Sequence, residues 1–297
     1  MKGKDKSSES RTMPQHRTRK GWPKGAAFSD SRGEMTNIKL IIEYEGTAYG
    51  GWQSQINAPT VQDALQRAIQ DVSGERVTLY GAGRTDSGVH ALGQVANFRT
   101  QAPVPPQRWA VAINSHLPDD IRVRESCEVP DRFHAQFSAV GKHYRYTICN
   151  RRSGTALHRR TSWYIPQRLD DGAMDRAAQA LLGSHDFTAF QSTGGPKRDP
   201  NKTVTMARVT RDGDFISFDV AADGFLYNMV RIFVGTLVLV GRGQLQPEAF
   251  SCILAGGSRA QAGPRAPAWG LCLMEVFYDG DTGDIAIGNK PSPCPGT

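Results

Sequence analysis

The chain has 297 residues, 39% hydrophobic and 22% charged, an ordinary globular balance with room for one large domain or two smaller ones. Its net charge is +7, but residues 1–34 hold nine Lys/Arg against four Asp/Glu, so the rest, with 27 basic and 25 acidic groups, carries only +2. The five cysteines suggest neither a zinc site nor a secreted disulfide framework, and no run reaches the ~18 apolar residues of a membrane span, so a reducing cytoplasm is the expected compartment.

Residues 1–36, rich in Ser, Gly, Lys and Arg, read as a disordered basic extension, with Met35 as an alternative start. Alternation of Ile38, Leu40, Ile42 and Tyr44 predicts a strand, followed by a glycine-rich loop from Gly46 to Gln55. Thr60 caps a predicted helix whose buried face is Val61, Leu65, Ala68, Ile69 and Val72. Arg76–Tyr80 and Gln94–Phe98 are predicted strands flanking the loop Gly81–Ala91. Pro105 and Pro106 open a helix running to His116, and Ile121–Val129 is a strand.

The second half repeats the alternation. Strand His143–Cys149, helix Leu169–Leu182, and strands Val204–Arg211 and Phe215–Val220 around the Asp212-Gly213 turn come first. An apolar helix Phe225–Val240, a short helix from Pro247 and a last strand Trp269–Tyr278 complete it. The pattern predicts an α+β protein of two similar halves, 37–131 and 132–280, with a frayed tail at 281–297.

Residues 132–168 hold eight basic side chains and no Asp or Glu, and Lys197, Arg198, Lys202, Arg208 and Arg211 follow. Such segments suit a polyanion, because each neutralised phosphate releases counterions; solvated faces of an Arg-rich protein would look the same.

The segment Gly81-Ala82-Gly83-Arg84-Thr85-Asp86-Ser87-Gly88-Val89-His90-Ala91 lacks the Gly-Lys-Ser/Thr of a phosphate-binding loop and the dinucleotide glycine spacing. It provides a tight loop between two strands that carries Arg84 and Asp86, although Asp-Ser-Gly is also a common plain turn. Arg231 lies inside the apolar stretch Phe225–Val234, where an unpaired buried charge would cost several kcal/mol or more. Asp86 is the best-placed carboxylate to answer it, and the adjacent cation would keep that Asp ionised as a nucleophile or base.

Gly83–Ala91 resembles the signature loop of TruA-type tRNA pseudouridine synthases. Glu43–Gly46 with Gly51-Trp52-Gln53, Phe133–Ala139, Lys142–Tyr146, Gly183–Phe190 and Asn228–Arg231 agree in order and spacing, with Ser87 standing where that family usually has Ala. The resemblance implies two ferredoxin-like halves with mixed and antiparallel sheets meeting at a central basic cleft, and a homodimer. It implies isomerisation of uridine to pseudouridine at positions 38, 39 and 40 of the tRNA anticodon stem-loop, with no cofactor and no metal. It further implies Asp86 as nucleophile, Tyr144 stacking on the flipped uracil, Arg231 paired with Asp86, Arg84 holding the flipped state or contacting phosphate, and His90 in a structural role.

Two other classes compete with this reading. Asp86-Ser87-Gly88 and Asp281-Thr282-Gly283 hint at an aspartic protease, but polar residues precede both triplets where apolar strands are needed. A non-catalytic RNA-binding protein fits the basic segments and leaves the pairing of Asp86 with Arg231 without purpose.

Overall fold

A computed structural model describes residues 35–195, 198–256 and 258–279; the extension at 1–34, Lys197 and the tail at 281–297 lie outside the described residues. Strand β1 (Thr36–Tyr44) forms where the alternation predicts, but it is buried on both faces rather than one. Its second face carries Asn37, which donates to Pro130 O (3.1 Å) and Phe133 O (3.0 Å), and Lys39, whose ammonium lies 5.2 Å from the Tyr278 ring centre. The segment after Pro130 thus covers the back of the strand, and the tyrosine hydroxyl of Tyr278 donates to Ala135 O at 2.7 Å.

Helix α1 (Val61–Ser73) starts at Thr60, whose hydroxyl accepts from Asp63 N (3.2 Å), and ends at Gly74 in the left-handed region (φ 75°). Residues 76–79 do not pair as a strand; only β2 (Tyr80–Gly81) does. Side chains of α1 take over the missing ladder: Gln62 donates to Leu79 O (2.9 Å) and Gln66 to Val77 O (3.0 Å). Strand β3 (His90–Thr100) starts four residues before the predicted Gln94. A 3-10 turn at Pro106–Arg108 leads into α2 (Trp109–Asn114), and β4 (Ile121–Glu128) follows.

Next come β5 (Ala139–Cys149), the short β6 (Trp163–Tyr164) and α3 (Asp171–Gln179). Helix α3 begins two residues after Leu169 because the Asp170 side chain caps it, accepting from Ala173 N at 2.8 Å. Strand β7 (Gly183–Asp186), absent from the sequence reading, precedes β8 (Asn201–Asp212) and β9 (Phe215–Ala222). Helices α4 (Met229–Gly241) and α5 (Ala249–Gly256) come before β10 (Leu271–Tyr278). Helix α4 starts later than Phe225 because Asn228 adopts a left-handed conformation (φ 61°).

The strands form one mixed sheet in the order β4-β1-β3-β10-β5-β9-β8-β7, with β2 beside β3 and β6 beside β5. This is the α+β arrangement expected, with the strands of the two halves joined edge to edge. The join is β10, which runs parallel to β3 at His90 and Ala91 and antiparallel to β5; that parallel pairing is why β3 begins at His90. Among the described residues, no helix is long and apolar enough to cross a membrane.

Candidate active site

The loop between β2 and β3 is held from several sides. Gln94 donates to Gly83 O (2.9 Å), Thr85 Oγ1 and the Tyr44 hydroxyl lie 2.8 Å apart, and Trp52 N donates to Thr85 O (3.2 Å). Gly51 sits against it with φ 103°, and a Cβ there would collide with Thr85 O, so the close approach of the two loops requires glycine. Ser87, the departure from the family pattern, donates its hydroxyl to Tyr49 O (3.1 Å), so the extra oxygen is satisfied.

His90 closes the loop. Gly46 N donates to its Nδ1 (3.0 Å), which makes Nδ1 the acceptor and Nε2 the protonated nitrogen, 2.8 Å from Arg160 O and 3.0 Å from Trp269 O. Every ring nitrogen serves the scaffold, in keeping with a structural role.

Asp86 emerges from this frame toward α4. Arg231 Nη1 donates to Asp86 Oδ2 at 3.1 Å and to Asn228 Oδ1 at 2.9 Å, while Arg231 Nε donates to Ala266 O at 2.8 Å. The arginine side chain is 10% exposed and the aspartate side chain 31%. The cation is therefore anchored in the core and the carboxylate is left open on one side. Burial lowers the Arg231 pKa from its usual value, and Asp86 acts in the opposite direction.

Strand β5 lines the site with alternate residues, as the period of a strand dictates. Tyr146 feels the charge of Arg231, and Tyr144 that of Asp86. Tyr144 is buried against Phe225, edge to face with ring centres 5.1 Å apart. Burial raises its phenol above the usual value, and the neighbouring Tyr44 and Asp86 add to the shift, so the hydroxyl stays protonated at neutral pH. Arg84 is exposed on the loop and has no hydrogen-bond or ion-pair partner among the described residues.

The basic stretch on and after β5 is occupied differently from the sequence expectation. Arg145 pairs with Asp219 (2.9 Å), Arg151 with Asp214 (3.0 Å) and Arg160 with Glu45 (3.8 Å). Part of the basic segment is thus answered inside the fold, while Arg132, Arg152, Arg159 and Arg168 stay exposed.

Asp86 is thus held by a buried Arg on a neighbouring helix and lies beside a protonated Tyr. Residues 40–138 and 177–279, about two thirds of the chain, match the tRNA pseudouridine synthase family. The chain belongs to that family. The matched segments hold Asp86 and Arg231, and Tyr144 falls in the stretch between them. Similar pseudouridine synthases include the tRNA pseudouridine synthase A of Acetivibrio thermocellus, 50% identical over 244 residues, spanning 82% of this chain and 100% of the relative. That of Moorella thermoacetica is 51% identical with the same two coverages, and the tRNA pseudouridine synthase A 2 of Clostridium perfringens 46%.

The structure brings Asp86, Arg231 and Tyr144 to one site with Arg84 on its rim. Sequence reasoning placed Asn228 and Lys142 in segments that match the family pattern but gave neither a role. Nothing in the local pattern announces a left-handed residue at a helix start, and Lys142 was one of eight basic residues in its stretch.

Proposed function

We propose that the chain isomerises uridine to pseudouridine at positions 38, 39 and 40 of the tRNA anticodon stem-loop, with Asp86 as nucleophile. Family membership supports the reaction class. The observation that carries the residue assignment is the 3.1 Å contact between Arg231 and Asp86, two residues 145 positions apart.

The target base must leave its stack to reach a carboxylate at this depth. Asp86 then adds to the ribose or to the uracil ring. By either route the N1–C1′ bond breaks, the uracil turns in place, C5–C1′ forms and the bond to Asp86 breaks, returning the carboxylate; C5 gives up a proton and N1 gains one. Arg231 holds the carboxylate ionised and aimed. Tyr144 supplies a flat surface for the turning base. Its phenol, protonated, serves the C5 proton only by passing its own on. Arg84 contacts phosphate or the space vacated by the flipped base. The overall change is an isomerisation, so the reading requires no cofactor.

In this reading the nucleophile belongs to a half spanning 37–131 and its arginine to a half spanning 132–280, and the enzyme acts in the cytoplasm as a homodimer. Asp86→Asn keeps the side-chain shape and removes the charge. Pseudouridine formation in an unmodified tRNA transcript should fall by about 10⁴-fold, while tRNA affinity, set by many phosphate contacts, changes little. A folded Asp86→Asn protein working within tenfold of the wild-type rate would refute the assignment. Chelation should leave the wild-type rate intact once magnesium needed to fold the tRNA is controlled.

A further inference from the structure

We propose that Lys142, with Arg198 beside it, forms an anion subsite that grips the phosphate flanking the flipped uridine; the proposal rests on the reading of Asp86 as the reacting group. Lys142 lies on the same face of β5 as Tyr144, two residues away, which places the two side chains roughly 7 Å apart along the strand. That is about the step from a nucleoside to its phosphate. Its side chain runs along Gly83, three residues before Asp86: a Cβ on Gly83 would lie 3.0 Å from Lys142 Cε and 3.3 Å from Nζ. The ammonium therefore borders the same loop that presents the nucleophile.

Lys142 is half-buried, yet its ammonium has no hydrogen-bond or ion-pair partner among the described residues. A desolvated ammonium without a counter-charge is unfavourable unless something fills that role in the working complex. The surrounding groups do not. Arg198 is a second cation whose charge reaches it. On the loop, Arg84 is cationic and Asp86 is committed to Arg231. Past β9, Asp223 accepts from Thr203 N at 3.1 Å. On β10, Glu275 is in register with His143 and so lies on the opposite face, with partners of its own. His143 and Asp219 also occupy that opposite face, bonded to each other. Val276 and Ala222 flank Lys142 on the neighbouring strands. Lys142 borders the loop that carries Asp86 and lies within electrostatic reach of a second cation, Arg198, and the substrate is a polyanion.

Burial first, and then the charge of Arg198, lowers the Lys142 ammonium to about 8, which gives the subsite a signature in pH. Below that value the free enzyme already carries the charge that phosphate needs. Above it, binding must recapture a proton, so affinity falls by up to about tenfold per pH unit until the pKa of the complex is reached.

The experiment compares wild type, Lys142→Met and Lys142→Arg, using an unmodified tRNA transcript. Lys142→Met should bind about tenfold more weakly, with a log–log salt slope smaller by about one, and its melting temperature should not fall, since an unpaired charge is removed. Lys142→Arg should recover both affinity and slope. From pH 7 to 9.5 the wild-type affinity should drop above pH 8, and that of Lys142→Arg should stay flat. A Lys142→Met protein with wild-type affinity and slope would overturn the proposal, as would an arginine variant as weak as the methionine one or as pH-sensitive as wild type. If the wild type forms no pseudouridine, the parent reading fails instead; if it does and the binding variants are silent, only the subsite falls.

Discussion

Asn228 Oδ1 accepts from the same Arg231 nitrogen, Nη1, that reaches Asp86, at 2.9 Å against 3.1 Å. The asparagine thus fixes the guanidinium from behind, and it does so from a left-handed backbone (φ 61°) with its own Nδ2 buried and unbonded. Such a backbone is unfavourable by about 1 kcal/mol for a residue with a Cβ.

Asn228→Gly should therefore leave stability within about 1 kcal/mol of wild type, because relief of strain and of the orphaned amide offsets the lost bond. Turnover should fall while tRNA affinity holds, because Arg231 loses an orienting partner. A large loss of melting temperature, or unchanged turnover, contradicts this account.

Arg231→Met removes the cation and leaves both Asp86 and Ala266 O without their donor. Asp86 is about one-third exposed, so the destabilisation should be about 2 kcal/mol, below the range for a fully buried pair. The double variant Asp86→Asn/Arg231→Met should be more stable than Arg231→Met alone. Additive denaturation energies across that cycle would show the pair to be uncoupled.

Gly51→Ala places a methyl group where Thr85 O now sits, at φ 103°. The loop carrying Asp86 must shift, so turnover should fall at least tenfold even where the protein stays folded, since a displacement of about 1 Å can cost 100-fold. Wild-type turnover in the alanine variant would mean that the contact does not position Asp86.

Asp219 sets an acid limit on stability. Burial alone would raise its carboxyl, but His143 (2.7 Å) and Arg145 (2.9 Å) outweigh burial and hold it below the usual value. A depressed folded pKa stabilises the fold above the unfolded value of about 3.9, and that contribution disappears as pH falls through the lower folded value. Asp219→Asn should be less stable than wild type at pH 7, and the gap should close below about pH 4. Denaturant titrations at pH 7, 5, 4 and 3 measure it; a constant gap would rule the linkage out.

Much of this was legible in the sequence where the cause was local. Helix α1 was visible from its Thr60 cap and its apolar spacing, and Arg231 announced a buried partner by standing in an apolar run. What failed depended on distant pairing. Residues 76–79 look like a strand but surrender their carbonyls to Gln62 and Gln66. His90 looks like loop and becomes strand because β10 lies beside it. The arginines of 132–168 looked uniformly available, yet Arg145 and Arg151 find carboxylates on and beside β9, which no count along the chain reveals. The pairing of Asp86 with Arg231 was inferable because charge burial is a stringent constraint; the half-buried Lys142 was hidden among other basic residues.

The wedge position of β10 between β3 and β5 also sets the order of events during synthesis. After β3 is complete at Thr100, some 170 further residues must be made before Leu271 appears. At ribosomal rates this takes roughly 10–30 s, during which the His90 end of β3 is an open edge and a template for wrong pairings. Translation arrested before Leu271 should leave the segment around His90 sensitive to protease, and release past Tyr278 should protect it; protection before β10 is made would contradict this order. Asp86 and Arg231, which lie 145 positions apart, thus sit on parts of the fold whose strands are tied into one sheet only when β10 docks between β3 and β5.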